Sequence, residues 1–511
     1  MTKMQHETML ETPPETDPRR QSLLTQLAGI LQVGTEETEE LANRNGDSAA
    51  SFRMAISGEI GSSTAVDSPP PAPKTVPGKV AGEFSATPFR RHGEFVPIAP
   101  NEFSKLRLAE AEVESLILKF LLNCQDATGQ EIAAQIGISF CICEKLLHAL
   151  KADRLVVFKA AANMGDYVYE LTESGTHRGR KFSQTCGYFG AVPVCLEDYA
   201  ASVAAQSLQN YQPSEEDLRH AFADLTLGDD IFERLGRAIV SGKGLFLHGP
   251  PGNGKTSIAR RVTLAYGESI WIPRAVSAWG EIIRVFDPSC HEELPLGKVH
   301  GFVDEAKIDH RWVRIRRPTI VVGGELLLDN LEITANSKTG IAESPLQLKS
   351  NCGTLVIDDF GRQQVAPAAL LNRWIVPLEK RYDYLNLTSG RKIQVPFDQF
   401  IVFSTNLEPR DLVDEAFLRR IPYKIDVCDP TDEQYRGLFL QLAVDMGIEP
   451  CRPALDYLIQ KYYRSTGRPM RFCHPRDLLR QVKVYYDFLE EPAHLTIEAL
   501  DAAATDYFSV L

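Results

Sequence analysis

A glycine-rich segment between an apolar run and an amphipathic run constrains the fold of this 511-residue chain more than any other feature. Residues 244–261 read GLFLHGPPGNGKTSIARR, which predicts a buried strand, a tight turn and then a helix. From about residue 216 to 430, further apolar strand-like runs alternate with helical patterns. That alternation is typical of an α/β layer structure built on a parallel sheet.

The turn itself predicts a phosphate site, because it matches the spacing G-x-x-x-x-G-K-T from Gly249 to Thr256. Glycines let backbone N–H groups turn inward around phosphate oxygens, and the positive end of the following helix points at the same place. We expect Lys255 to reach the β and γ phosphates of ATP and the Thr256 hydroxyl to bind Mg²⁺. The predicted binding set is Gly249, Pro250, Pro251, Gly252, Asn253, Gly254, Lys255, Thr256 and Ser257.

A second strand-like run, GTLVIDDFGR at 353–362, ends in two adjacent carboxylates. After a phosphate loop, Asp358 is expected to hold the magnesium and Asp359 to orient or deprotonate the attacking water. A longer Glu is more usual at the second position, and a displacement of about 1 Å can cost roughly 100-fold in rate. We therefore expect slow but real hydrolysis, with a nucleotide-gated switch of negligible turnover as the alternative.

Polar residues further along the chain complete the predicted site. The buried run FIVFSTN at 400–406 ends in Asn406, which could bind the attacking water or the γ-phosphate. Arg419 and Arg420 follow a short helical segment, and Arg476 lies at the start of a later helix. Guanidinium groups at such positions can neutralise charge that develops on the transferred phosphate.

This order of motifs resembles the AAA+ ATPases over about residues 216–500. The resemblance implies a P-loop αβα core with a C-terminal helical lid. By position, the Walker A motif is matched by Gly249, Gly254, Lys255 and Thr256, and the Walker B motif by Asp358 and Asp359. Sensor 1 is matched by Asn406 and sensor 2 by Arg476. The arginine finger is matched by Arg419 or Arg420. Because the finger of this family acts on the nucleotide of a neighbouring subunit, the resemblance also implies a homo-oligomeric ring, usually a hexamer. The segments GPPGNGKTSIA, VIDDFGRQ, LLNRWIVPLE and VDEAFLRRIPYKI are similar to a bacterial AAA+ group described as predicted chaperone-like ATPases associated with Flp-type pilus assembly.

Composition and periodicity divide the remainder of the chain. Residues 1–100 carry acidic and proline-rich stretches and predict a disordered tail, with one short amphipathic helix at 21–32. Residues 101–182 predict three helices and a hairpin, which resembles a winged helix-turn-helix. We expect a linker at 183–215, the core at 216–430 with an insertion at about 288–350, and the helical lid at 431–511.

The winged-helix-like segment could bind DNA or protein. A DNA-reading helix needs Arg, Asn, Gln or Lys near its start, whereas the third helix begins SFCICEK. Basic residues cluster only after the hairpin, at His177, Arg178, Arg180 and Lys181. The sequence therefore favours protein contact over DNA contact.

The expected insertion is locally basic, since it contains Arg311, Arg314, Arg316 and Arg317. It could be a projecting hairpin that grips a partner or nucleic acid, or a solvated or subunit-bridging edge. Before it, SAWGEI at 277–282 follows the presumed second core strand. Trp279-Gly280 there only loosely resembles an aromatic pore loop, and we expect Trp279 to anchor the core.

Bulk composition limits the class of protein. The net charge of −13 argues against general affinity for nucleic acid or anionic membranes. No run of 18 apolar residues and no secretory apolar region is present, and the ten cysteines form no C-x-x-C pair. We expect a cytoplasmic protein without membrane insertion that remodels or assembles an unidentified protein partner; the alternative is a DNA-associated AAA+ regulator or loader.

Overall fold

A computed structural model describes residues 95–295, 307–336, 338–413 and 415–509. The short helix expected at 21–32 and most of the expected tail lie outside these ranges. Residues 95–100 are described, and Val96 is buried there against Trp271 and Trp312.

The N-terminal part of the described chain contains helices and a small antiparallel sheet. Its elements are α1 (Glu110–Cys124), β1 (Asp126–Thr128), α2 (Gly129–Ile136), α3 (Phe140–Ala152), β2 (Val156–Ala161), β3 (Tyr167–Leu171) and α4 (Glu173–Thr185). The strand order is β1–β3–β2. Thr128 caps α2 by accepting from the Glu131 backbone, and Gly137 ends the helix with φ of 70°. Within the described ranges, no single helix has the length and apolar character needed to cross a membrane, although α2 and α3 would meet that test together across a bend of 114°.

This N-terminal unit shares its apolar core with a hairpin that lies further along the chain. Ala275 and Ile282 of that hairpin belong to the same buried cluster as the helices of the unit. The Lys119 ammonium is only 3% exposed and donates to the carbonyl oxygen of Tyr188 at 2.7 Å. The Ser277 hydroxyl donates to the Glu112 carboxylate at 2.6 Å. The unit is therefore packed directly onto the structure that follows it.

Residues 194–426 build the α/β part of the molecule. Its elements in chain order are β4 (Val194–Cys195), α5 (Leu196–Ala205), α6 (Glu215–Ala221), α7 (Asp229–Ser241), β5 (Leu245–His248), α8 (Lys255–Arg261), β6 (Ser269–Pro273), β7 (Ala275–Ala278), β8 (Glu281–Arg284), β9 (Trp312–Arg316), β10 (Thr319–Val322), β11 (Thr334–Ala335), β12 (Ala342–Glu343), α9 (Leu346–Lys349), β13 (Thr354–Ile357), α10 (Pro367–Lys380), β14 (Tyr382–Asn386), β15 (Lys392–Pro396), β16 (Phe400–Ser404), α11 (Pro409–Leu412), α12 (Glu415–Leu418) and β17 (Tyr423–Asp426).

The central sheet consists of five parallel strands in the order β10–β13–β16–β5–β17. Every residue of β13 and β16 is buried, as expected for strands that are covered on both faces. The expected mixed α/β architecture with a parallel sheet is confirmed. Because all five strands run in the same direction, their carboxyl ends lie at one edge of the sheet. The carboxyl end of β16 lies there between those of β5 and β13.

A second, smaller β structure differs from the predicted boundaries. Strands β11, β12, β8, β7 and β4 form one sheet, while β6 pairs with β9 and β14 with β15. The segment expected to be a linker thus supplies β4 and α5. The segment expected to be an insertion, 288–350, contains β10, which is an edge strand of the central sheet. The strand before SAWGEI, β6, lies outside the central sheet, so it is not the second core strand that we expected.

One further expectation about this region was wrong, and one open alternative is not supported. Trp279 does not anchor the core: it is 73% exposed at the tip of the β7–β8 hairpin, where Arg391 lies 5.2 Å from its ring centroid. Of the two interpretations left open for the basic segment, the projecting hairpin is not found among its described residues, because β9 and β10 pair within sheets. Arg311 is buried and paired with Asp309 at 2.7 Å, and Arg317 donates to backbone carbonyl oxygens. Arg317 thus connects the segments that precede β6 and β13.

The C-terminal part is helical, with its own core. It comprises α13 (Asp432–Asp445), α14 (Arg452–Leu458), α15 (His474–Leu489) and α16 (Ile497–Phe508). Thr431 and Gln434 form a capping box that starts α13. Its core contains Tyr435, Phe439, Leu458, Leu479 and Leu500, all buried. We refer to this unit, residues 431–509, as the helical unit.

Candidate active site

The glycine-rich loop occupies residues 249–254, between the end of β5 and the start of α8. Gly249 and Gly252 have φ of 127° and 84°, values that side-chain-bearing residues rarely adopt. A Cβ at Gly249 would lie 2.8 Å from the carbonyl oxygen of Val427, and one at Gly252 would lie 2.6 Å from Cys473 Sγ. Both positions therefore require glycine for conformation and for space.

Lys255, the first residue of α8, lies beneath the loop. It is 7% exposed, and its ammonium donates to the carbonyl oxygens of Gly249 and Pro250 at 2.8 Å and to Asn406 Oδ1 at 2.7 Å. Burial lowers the pKa of Lys255, while the nearby carboxylates of Asp358 and Asp359 act in the opposite direction. The side chain thus lies at the bottom of the loop, close to the acids of the neighbouring strands.

Thr256 and Asp358 form an oxygen-rich pair. The Thr256 hydroxyl donates to the Asp358 carboxylate, with distances of 2.8 and 3.0 Å to its two oxygens. Among the described residues no group of three or more His, Cys, Asp and Glu side chains could hold a metal ion. A hydroxyl and a carboxylate nonetheless fit Mg²⁺, which is commonly bound by one or two protein oxygens together with waters and substrate phosphates.

Asp359 and Asn406 are connected by a hydrogen bond across the sheet edge. Asn406 Nδ2 donates to Asp359 Oδ1 at 3.2 Å, while its Oδ1 accepts from Lys255. Asp359 has φ of 49°, the left-handed conformation that Asp and Asn tolerate better than longer side chains do. The backbone at this position thus gives a physical reason for Asp where a Glu is more usual.

These side chains line a cavity of about 750 Å³. Of the predicted set, it is lined by residues 251–257, Asp358, Asp359, Asn406 and Arg476. Gly249 and Pro250 contribute their carbonyl oxygens to Lys255. The sequence analysis missed the apolar lining of the cavity, which includes Leu227, Ile231, Leu438 and Leu442, and two further cations, Arg362 and Arg480. Leu438 and Leu442 are adjacent in sequence to buried residues of α13. Apolar residues on two sides of this helix could have indicated a second apolar contact.

The helical unit is hydrogen-bonded directly to the phosphate loop, which sequence reasoning also missed. The side-chain amide of Asn253 donates to Asp429 Oδ1 at 2.7 Å and to the Val427 carbonyl at 3.2 Å. The Cys473 backbone N–H donates to the Gly252 carbonyl at 2.9 Å. Arg471 forms an ion pair with Asp429. We call these contacts the loop latch.

Arg419 and Arg420 do not line this cavity. They line a separate recess of about 950 Å³ together with Val240, Lys243, Leu378 and Pro422. Arg419 is exposed, and the Arg420 guanidinium is 2.7 Å from the Glu379 carboxylate. In a single chain, neither arginine is part of the cavity that holds the other predicted residues.

The chain is similar to one family model and to solved structures at low identity. Residues 431–506 match the model of a domain of unknown function, DUF8689. No curated protein matches the chain. Among solved structures, Brucella abortus NtrX in complex with ADP is similar at 14% identity with a TM-score of 0.35, covering 56% of this chain and 57% of that one. The Thermotoga maritima RuvB Holliday junction branch migration motor is similar at 12% identity with a TM-score of 0.31, covering 60% of this chain and 74% of that one. These similarities are too low to carry an argument about activity.

Proposed function

We propose that this protein is an AAA+ ATPase that binds ATP with Mg²⁺ and hydrolyses it in an oligomeric ring to remodel or assemble a protein partner. One observation carries the proposal: Lys255, Thr256, Asp358, Asp359 and Asn406 converge at the carboxyl edge of a parallel sheet, under a glycine-rich loop and beside a cavity of about 750 Å³. A cation, a metal-binding oxygen pair and a carboxylate held by an amide are the groups that phosphoryl transfer to water requires.

Each residue has a role that follows from its position. Backbone N–H groups of the loop and the Lys255 ammonium would bind the phosphates. Thr256 and Asp358 would hold Mg²⁺, which would supply positive charge beside the phosphates. Asp359 accepts the proton of the attacking water, and Asn406 fixes the orientation of that carboxylate. The short Asp359 side chain and its hydrogen bond to Asn406 support slow turnover.

The two sides of the cavity suit the two ends of ATP. Leu227, Ile231, Leu438 and Leu442 offer an apolar surface for the adenine ring. Arg476 and Arg480 extend from α15 into the same cavity, where their charge is complementary to the phosphates. Because α15 belongs to the helical unit, nucleotide bound here is enclosed between that unit and the sheet.

The position of the two remaining arginines supports the proposal of a ring. Arg419 and Arg420 line a different recess from the nucleotide cavity of their own chain, so we propose that they complete the site of a neighbouring copy. A guanidinium supplied by another subunit stabilises the charge of the transition state. We propose a hexamer, the usual size for the resembled family.

The partner is proposed to be a protein. The third helix of the N-terminal unit, α3, buries Ile142, Leu146 and Leu150 in the core. A DNA-associated role is the second candidate, because His177, Arg180 and Lys181 are exposed on α4. Salt-dependent duplex binding by the full chain, lost in an Arg180→Ala/Lys181→Ala variant, would favour it. The similarity to chaperone-like ATPases of pilus assembly leads us to propose pilus components as the first candidate partners.

ATP binding and steady-state phosphate release by the purified full chain test the proposal. Lys255→Ala should abolish both, whereas Lys392→Ala, a change at an exposed lysine, should alter neither. A wild-type protein with no affinity for adenine nucleotides would overturn the proposed function.

A further inference from the structure

The C-terminal end of α15 exposes apolar side chains in line with the residues that enter the nucleotide cavity. Val484 is 62% exposed and Phe488 is 84% exposed. They follow Arg480 at successive spacings of four residues, so all three lie along one side of the helix. Exposed apolar residues in a continuous row mark interaction surfaces more often than single scattered ones do.

Acidic residues surround Phe488. Asp487, Glu490 and Glu491 are all exposed, and Lys483 is the exposed basic residue nearest to them in sequence. We call this surface, residues 483–491, the acidic knob. It combines a large apolar side chain with a net negative rim.

The recess that contains Arg419 and Arg420 has the opposite character. Lys243 and Arg381 also line it, against a single acid, Glu379. Its apolar lining includes Val240, which is 47% exposed. At about 950 Å³ it is large enough to accept an aromatic side chain.

We propose that the acidic knob of one copy of this chain docks into the basic recess of the next copy, with Phe488 as the anchor. The apolar side chain fits the apolar lining of the recess, and the charges of the two rims are complementary. Because the knob and the recess are different surfaces, the contact is head-to-tail, and repeated contacts of this kind close into a ring when the rotation allows.

The inference rests on the proposed function and makes it more specific. Phe488 lies about 12 Å beyond Arg480 along the helix, at a rise of about 1.5 Å per residue. Docking the knob thus brings the recess of the next copy, with Arg419 on its wall, alongside the helix whose other end lines the nucleotide cavity. The contact that joins two copies would then involve the face of the chain that carries Arg419.

Sedimentation of the full chain with ATP over a range of concentrations tests the anchor. Phe488→Ser should weaken self-association by about 10–100-fold, the effect expected for loss of a buried aromatic anchor. Trp279→Ser removes another exposed aromatic residue, outside the knob, and should leave self-association unchanged. Because Phe488 does not line the cavity, ATP binding by the Phe488→Ser monomer should equal that of wild type.

A charge exchange tests the complementarity. Lys243→Glu and Asp487→Lys should each weaken association at low ionic strength, whereas the chain carrying both changes should recover much of it. A p-benzoylphenylalanine at position 488 should cross-link to residues near Val240 in a different copy, which mixed isotope labelling of two preparations can establish.

The outcomes separate this inference from the proposed function. If the chain binds ATP and assembles but Phe488→Ser assembles like wild type, or the cross-links map outside the recess, the docking model is overturned and the ATPase proposal stands. If wild type does not bind ATP, the proposed function itself fails.

Discussion

The tight contact between the phosphate loop and the helical unit makes Gly252 the most informative position to change. A Gly252→Ala variant meets two separate obstacles. Its φ of 84° costs an L-residue about 1–2 kcal/mol. Its Cβ would also lie 2.6 Å from Cys473 Sγ, and forced overpacking costs typically about 1–3 kcal/mol. We expect the free energy of unfolding to fall by about 2–5 kcal/mol.

A second substitution separates the two costs. With Cys473→Ala the nearest atom of residue 473 is its Cβ, 3.6 Å from the new methyl group, which is an ordinary contact. The double variant should therefore lose only the backbone cost, so the two changes should show a coupling of about 1–3 kcal/mol.

Gly254 provides a matched control for this cycle. Its φ is 81°, but no atom lies within 4 Å of an added Cβ. Gly254→Ala should cost about 1–2 kcal/mol, and Cys473→Ala should not restore it. Urea-induced unfolding of the nucleotide-free chain, followed by circular dichroism, measures all five variants. Equal losses for Gly252→Ala with and without Cys473→Ala would refute the reasoning.

Three further predictions concern the chemistry and the pH dependence. Asp359→Asn should bind ATP like wild type but release phosphate on the order of 100-fold more slowly or worse, since it removes the general base; an unchanged rate would exclude that role. Arg419→Ala should be nearly inactive alone but regain activity when mixed with Asp359→Asn, because each protein supplies what its neighbour lacks; failure to complement in mixed rings would argue against action between subunits. Burial lowers the pKa of His474 from 6.5 to about 4. The unfolded chain therefore binds a proton at a higher pH than the folded chain does, so the free energy of unfolding should fall as the pH drops from about 6.5 towards 4. Between pH 7 and 5 the loss should be about 2 kcal/mol, and the difference between wild-type and His474→Phe unfolding free energies at these pH values measures it.

Local patterns carried most of the information about the site. The strand, loop and helix around Lys255 are contiguous in sequence, and the glycine spacing reflects conformations that only glycine adopts readily. Asp358, Asp359 and Asn406 each come at the end of an apolar run. Because the carboxyl ends of parallel strands meet at one edge of the sheet, these residues could be placed together there.

The remaining contacts were not predictable because they join segments that are distant in sequence. The second β structure is assembled from two- to five-residue strands between positions 194 and 396, and strands that short give little periodic signal. The loop latch likewise joins Asn253 to Asp429, 176 positions away. Trp279 was misplaced because an aromatic residue is usually buried, and nothing in its immediate sequence shows that it occupies a hairpin tip.

The packing of the N-terminal unit against the β7–β8 hairpin has a practical consequence. Since Ala275 and Ile282 complete the core of that unit, cutting the chain near residue 182 would leave apolar surface uncovered on both fragments. A partner bound by the unit would therefore be held through this packed contact and not on a flexible tether.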